Sequence, residues 1–270
     1  MARLCVCIEP FYKGLPSHEK IKKIAEIGYS FIEFWFWDHE FDANGLSDKK
    51  KDIEKIATLV KELKIEVSDI VVNSPDGSIG GSLNRPEERQ KYLARLEETI
   101  GIAKKIGCKK LITCSGNKIE NIDIGTQLEN TIATLKEAVK IAGNSYITLL
   151  LEALNSKVDH KGYLVDSSSI GFEIVRRVNS PYLKLLYDIY HMQIMEGNII
   201  STIEQNINMI GHFHSAGVPG RNELDSGELD YRNIIKKVDE MGYNGSFGLE
   251  YFPLMESEES LKKLKKFLNS

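Results

Sequence analysis

What most constrains this chain is a repeating period: a short apolar run suited to a strand, then an amphipathic helical stretch, over and over along its length. Arg3 to Ile8 alternates and is rich in β-formers, and Glu9-Pro10 ends it. The spacing then predicts a helix capped by Ser17, with Ile21, Ile24 and Ala25 on one face and Gly28 as its stop. Phe31 to Trp37 reads F-I-E-F-W-F-W, a strand whose aromatic density implies burial on both faces. A helix over Asp48 to Leu63 and a strand over Ile65 to Val72 follow, and beyond a polar loop from Asn73 to Pro86 the unit keeps recurring. Helices are expected at Glu87 to Ile106, Gln127 to Ala142, Ser167 to Val178, Ile199 to Asn208, Tyr231 to Met241 and Ser257 to Leu268. Strands are expected between them at Lys110 to Cys114, Ile147 to Leu154, Leu183 to Ile189, Met209 to Ser215 and Ser246 to Tyr251.

Regular alternation argues for a parallel sheet, and about eight units in roughly 250 residues is the arithmetic of an α/β fold of the (β/α)8 (TIM) barrel type. A doubly wound open sheet is the runner-up, but neither G-x-G-x-x-G nor a Walker sequence is present to support it. With 270 residues, 42% of them hydrophobic, and no break in composition, one domain over 1–270 is expected. The 35 basic and 39 acidic residues give a formal charge of -4, so no nucleic-acid surface is advertised. The N-terminal apolar run is too short for a signal peptide and no run approaches a membrane span; a soluble, cytoplasmic protein is the expectation. The four cysteines (Cys5, Cys7, Cys108, Cys114) lack C-x-x-C spacing and read as buried thiols.

Barrel active sites form where the strands end. Four consecutive predicted strands each carry a polar residue near that end: Glu152 in L-L-L-E-A-L-N, Asp188 in L-Y-D-I-Y-H, His214 in G-H-F-H-S, and Glu250 in F-G-L-E-Y. A carboxylate in a buried strand costs several kcal/mol, roughly, unless it is paired, hydrogen-bonded or bound to a metal. Lys184 is the only basic residue on these strands, and three carboxylates at one barrel mouth repel each other; a divalent cation removes the conflict. Three carboxylates and one imidazole suit Mn2+, Mg2+ or Co2+ best and also admit Zn2+. His212, two residues before His214 and on the same strand face, reads as a core histidine. His191 and Arg221 are donors suited to a substrate hydroxyl or carboxylate, His18 and His160 read as surface residues, and the Asn73 to Pro86 loop as a lid or wall.

The segments L-Y-D-I-Y-H-M-Q-I-M-E-G, V-P-G-R-N-E-L-D-S-G-E-L-D-Y and G-L-E-Y, with L-E-A-L-N and R-P-E-E-R upstream, resemble the hydroxypyruvate isomerase family within the xylose isomerase-like TIM barrels. The resemblance covers most of the chain and is densest from Glu152 to Tyr251. It implies a divalent metal on Glu152, Asp188, His214 and Glu250, with Glu152 and Glu250 as the acid/base pair. It also departs at one point. That family has Gln where His214 stands and Asp where Gly217 stands, whereas His214, the Asp188-x-x-His191 spacing and Arg221 resemble the ketose 3-epimerases of the same superfamily.

The chemistry implied is proton transfer through an enediolate next to a carbonyl of a small hydroxy-carbonyl compound. Returning the proton to the adjacent carbon gives isomerisation; returning it to the opposite face of the same carbon gives epimerisation. Two other classes compete. A DNA-repair endonuclease of the superfamily would need more metal ligands than six histidines in a net acidic chain suggest. A non-catalytic sugar-binding barrel would not need Glu152 or Glu250. The expected partner is a small molecule, with neither nucleic acid nor membrane, and the resemblance keeps a homo-oligomer among the expectations.

Overall fold

The computed structural model describes residues 3–42 and 45–269; Met1, Ala2, Ala43, Asn44 and Ser270, which the expected domain limits include, lie outside the described residues. Eight parallel strands close into a barrel: β1 (Arg3–Cys7), β2 (Phe31–Phe34), β3 (Glu66–Val71), β4 (Lys110–Thr113), β5 (Thr148–Glu152), β6 (Leu183–Asp188), β7 (Ile210–Ser215) and β8 (Ser246–Leu249). Each pairs with the next, and β8 pairs with β1, so no sheet edge is left open. Helices return the chain from strand to strand: α1 (Ser17–Glu26), α2 (Ile53–Glu62), α3 (Arg89–Ile106), α4 (Ile124–Gly143), α5 (Ser168–Val178), α6 (Ile189–Met195), α7 (Ile199–Asn206), α8 (Tyr231–Glu240) and α9 (Ser257–Asn269). The single-domain (β/α)8 barrel expected from the alternation is the observed architecture.

Period-two alternation explains where the side chains go. One set packs outward under the helices in a large apolar core that includes Ile32, Leu149, Leu151, Phe213 and Phe247. The other set points into the barrel, where Val71, Ile112, Leu150 and Leu186 form a separate plug with Phe36. Residues two further along those strands therefore emerge above the plug, at the barrel mouth. Helix starts are fixed by side-chain caps: Asp52, Asp123, Ser167, Asp188 and Asp230 each accept from a backbone N–H three residues on. At the far end of α3, Gly107 takes φ 76, the left-handed stop a glycine adopts without strain. All four cysteines are free and buried, as expected. Among the described residues, no helix is long and apolar enough to cross a membrane.

Several local expectations need correction. Ser17 does not cap α1; it lies inside the helix, where its hydroxyl donates to Glu40 at 2.6 Å and its own N–H is taken by the same carboxylate. β2 stops at Phe34, short of Trp37, because its register with β3 shifts between Ile32 and Phe34. The helix expected from Asp48 begins at Ile53, behind a two-stranded antiparallel hairpin of Phe41–Asp42 and Gly45–Leu46. α6 was not anticipated: Asp188 ends β6 and caps this helix at once.

Candidate active site and metal centre

Glu152 is the last residue of β5, Asp188 the last of β6, His214 the penultimate residue of β7, and Glu250 directly follows β8. The barrel's stagger sets Asp188 opposite His214 across β6 and β7, and Gly248 opposite His214 across β7 and β8. One ligand atom from each of Glu152, Asp188, His214 and Glu250 can be chosen so that all lie within 4.8 Å of one another. His214 Nδ1 stands 3.2 Å from Glu152, 3.4 Å from Glu250 and 4.0 Å from Asp188. None of these contacts has hydrogen-bond directionality, and both His214 ring nitrogens are buried without a hydrogen-bond partner. Buried polar atoms rarely go unpaired. Three carboxylates and an orphaned imidazole aimed at one point therefore fit a divalent cation, as the donor set alone suggested.

The electrostatics show the strain of the set without a cation. Burial pushes the Asp188 carboxyl up to about 7, with Glu250 and Glu152 adding to the rise. Burial works against charge on His214, but Glu250, Glu33 and Glu152 outweigh it and hold its pKa well above the usual imidazole value. Burial opposes charge on Glu250 too, yet Arg221 and His214 hold its carboxyl well below the usual range.

Above the four donors is a cavity of about 200 Å³. Trp35, Phe36, Val71, Pro75, Cys114 and Leu154 line it on one side; Glu152, His160, His214, Arg221 and Glu250 supply its polar groups. Trp35, just past the end of β2 and two residues on from Glu33, donates from Nε1 to Glu250 at 2.7 Å. Pro75 comes from the Asn73 to Pro86 loop, which thus supplies a wall; the Asn73 side chain pins it to Cys114 and Gly81 at 2.8–2.9 Å. Arg221 pairs with the Glu250 carboxylate and donates from Nε to the Glu250 carbonyl at 3.3 Å. A tight turn aims it there: Gly217 N–H bonds the Asn222 carbonyl at 2.7 Å, and Arg221 N–H the Gly217 carbonyl at 2.9 Å.

His191 joins the site from behind. It is fully buried, its Nδ1 is 2.6 Å from the Asn155 amide, and its Nε2 is 3.5 Å from Asp188. The residue that faces the cavity from this side is His160, whose ring packs on His191 at 5.4 Å. His160 was expected at the surface and is instead half-buried in the site, because the loop after β5 folds back over the mouth. Two further carboxylates were missed. Glu33 on β2 and Asp69 on β3 lie inside the barrel beside His212 and His214, and these four also converge within 4.8 Å. The signal was present: each is an acid within an apolar strand, F-I-E-F and V-S-D-I-V, the criterion that found Glu152.

Known proteins place this geometry in context. The family described as Xylose isomerase-like TIM barrel matches residues 21–269. The putative hydroxypyruvate isomerase of Danio rerio is 28% identical over 279 residues, covering 99% of this chain and 96% of that protein. The hydroxypyruvate isomerase of Escherichia coli K12 is 30% identical over 250 residues, covering 90% of each. Among solved structures, an AP endonuclease, family 2, from Brucella melitensis superposes with a TM-score of 0.87 at 26% identity, covering 99% of both chains. The chain belongs to the xylose isomerase-like TIM barrel family, as an isomerase.

Proposed function

We propose that the protein isomerises a small α-hydroxy-carbonyl compound of the hydroxypyruvate type, with Glu152 and Glu250 as the acid/base pair and Glu152, Asp188, His214 and Glu250 as ligands of a divalent cation. The observation that carries this reading is the convergence of those four donors within 4.8 Å around an imidazole that has no hydrogen-bond partner. When bound, the cation would polarise the substrate carbonyl and its neighbouring hydroxyl. Glu152 and Glu250 come from strands three apart around the barrel, so they flank whatever the cavity holds. One of them takes the proton from the hydroxyl-bearing carbon and the other returns a proton to the former carbonyl carbon, while the hydroxyl proton passes to the former carbonyl oxygen. Trp35 Nε1, donating to one oxygen of Glu250, and Arg221, paired with the other, keep that carboxylate oriented and ionised. Arg221 is also the fixed cation at the cavity, suited to an acid-bearing substrate, and the roughly 200 Å³ of space suits a short carbon chain. Aromatic and aliphatic walls exclude water from the carbanion-like intermediate. The whole chain is taken as the functional unit, with no nucleic-acid partner.

A second reading, epimerisation of a ketose at the carbon next to its carbonyl, is favoured by His214, which resembles the epimerases at that position. Both are tested by one experiment. Metal-stripped protein is resupplied with Mn2+, Mg2+, Co2+ or Zn2+ and incubated in deuterated water with hydroxypyruvate and a panel of ketoses. Deuterium entering the former carbonyl carbon of hydroxypyruvate supports isomerisation; exchange at one ketose carbon with inversion supports epimerisation. Exchange into no compound, with metal bound, rejects both.

A further inference from the structure

Beneath the four donors lies a second polar layer that the reaction does not use. Glu33, Asp69 and His212 are 0–1% exposed and sit below the mouth, within the barrel. Glu33 Oε2 accepts from His212 Nε2 at 2.8 Å, and the same nitrogen is 3.3 Å from Asp69. The other ring nitrogen of His212 meets the Ser246 hydroxyl at 3.4 Å, which Ser68 in turn contacts at 3.1 Å. A hydroxyl donating to Nδ1 leaves the proton of neutral His212 on Nε2, aimed at Glu33. Glu33 is thereby held by one oxygen. Its other oxygen, Oε1, faces His214 Nε2 at 3.2 Å, and both atoms are buried without a hydrogen-bond partner. His214 thus turns one nitrogen, Nδ1, to the carboxylates at the mouth and the other to Glu33.

The eighth strand is cut away to allow this. A Cβ on Gly248 would stand 2.2 Å from Glu33 Oε1 and 2.6 Å from the His214 ring. Gly248 has no positive φ to explain it, so the glycine is there for space: it lets a carboxylate from β2 reach an imidazole on β7.

We propose that Glu33 is a positioning residue for the metal centre: it accepts the Nε2 proton of His214, so that Nδ1 is the nitrogen offered to the cation, and His212 holds Glu33 in place from behind. A metal-bound histidine whose second nitrogen donates to a carboxylate has its tautomer and ring orientation fixed and its basicity raised. The inference rests on the cation site proposed above.

The test begins with the wild-type chain, labelled with 15N-histidine and loaded with Zn2+, so that nitrogen and proton shifts report which His214 nitrogen is metallated. The expected result is Nδ1 bound and a slowly exchanging proton on Nε2. In parallel, Mn2+ and Zn2+ titrations compare wild type with Glu33→Gln, for which a roughly 10- to 100-fold loss of affinity is expected. The stoichiometry expected in both is one ion per chain. His214 metallated through Nε2 overturns the proposal, as does a Glu33→Gln variant with wild-type affinity, even if its metal-free melting temperature falls, since that is a structural role alone. Two ions per chain, one of them lost in Glu33→Gln, overturns it too, because Glu33 would then be a ligand. If Glu33→Gln does not fold, the wild-type tautomer still decides. A wild-type chain that binds no ion rejects the cation site itself, an outcome distinct from a bound ion with the wrong tautomer.

Discussion

Loading the proposed cation site should displace protons from its ligands. Glu250, Glu33 and Glu152 raise the His214 pKa despite its burial, and burial pushes Asp188 up to about 7. A ligand must be deprotonated to bind, so affinity rises with pH. Asp188 titrates within pH 6 to 8 and by itself changes affinity roughly tenfold across it; His214, raised above the usual imidazole value, adds to the loss on acidification, so Mn2+ affinity should be at least roughly tenfold weaker at pH 6 than at pH 8. Calorimetric titration in buffers of different ionisation enthalpy counts the protons directly. It should find more protons released per ion near pH 6 than near pH 8. In Asp188→Asn the overall affinity falls, but the pH dependence should shrink by roughly tenfold. The metal-free fold should behave in the opposite sense. A raised Asp188 pKa contributes stability that is present below the ordinary carboxylate value and lost as pH climbs through about 7, so the gap in melting temperature between loaded and metal-free protein should widen with pH. An affinity that changes less than tenfold across the window, or strengthens on acidification, would refute the reasoning.

Glu152→Gln and Glu250→Gln should each lower turnover by roughly 10²- to 10⁴-fold while circular dichroism and melting stay close to wild type; retained turnover in both would mean that other groups move the proton. Tyr231→Phe removes a buried hydroxyl that donates to the Ala216 carbonyl at 2.8 Å and accepts its N–H at 3.0 Å, anchoring the chain just beyond β7. Urea unfolding should show a loss of about 1–3 kcal/mol, and no loss would mean that water replaces the hydroxyl. Asp38→Ala breaks a bidentate pair with Arg95, two contacts of 2.7 Å between side chains only 18% and 10% exposed. The expected cost is about 2–3 kcal/mol, discounted for the partial exposure, and since Arg95 also packs on Trp37 next to the cavity wall, KM should rise with it.

The order and number of barrel strands were legible because each is an apolar run set off by polar breaks and an amphipathic helix. The four mouth donors were legible for the same reason, once the barrel was assumed: period two puts Glu152 above Leu150 and Asp188 above Leu186, at adjacent places on the rim. What escaped depended on contacts distant in sequence. F-I-E-F-W-F-W has the composition of one long strand, and only its pairing with β3, whose register shifts between Ile32 and Phe34, shows that it ends at Phe34 with Trp35 beside the cavity. Ser17 has the chemistry of a cap, but Glu40, 23 residues on, takes its hydroxyl and N–H. His160 sits in a polar stretch and looks solvated until the loop after β5 is folded over His191. Glu33 and Asp69 were overlooked because attention went to the last four strands, although the penalty for an isolated buried acid applies equally to them.

Closure of the barrel divides these parts unequally between its halves. Everything from β5 onward carries the four mouth donors, Arg221 and His160, whereas Glu33 and Asp69 lie on β2 and β3. If the chain were severed in the turn between α4 and β5, the C-terminal piece would keep Glu152, Asp188, His214 and Glu250 and lose Glu33 and Asp69 from beneath His214. The seam where β8 meets β1 then matters beyond strand pairing. With the β4–β5 seam it is one of two joins across which the pieces, expressed separately and mixed, would have to dock to bring a carboxylate from one under the imidazole of the other.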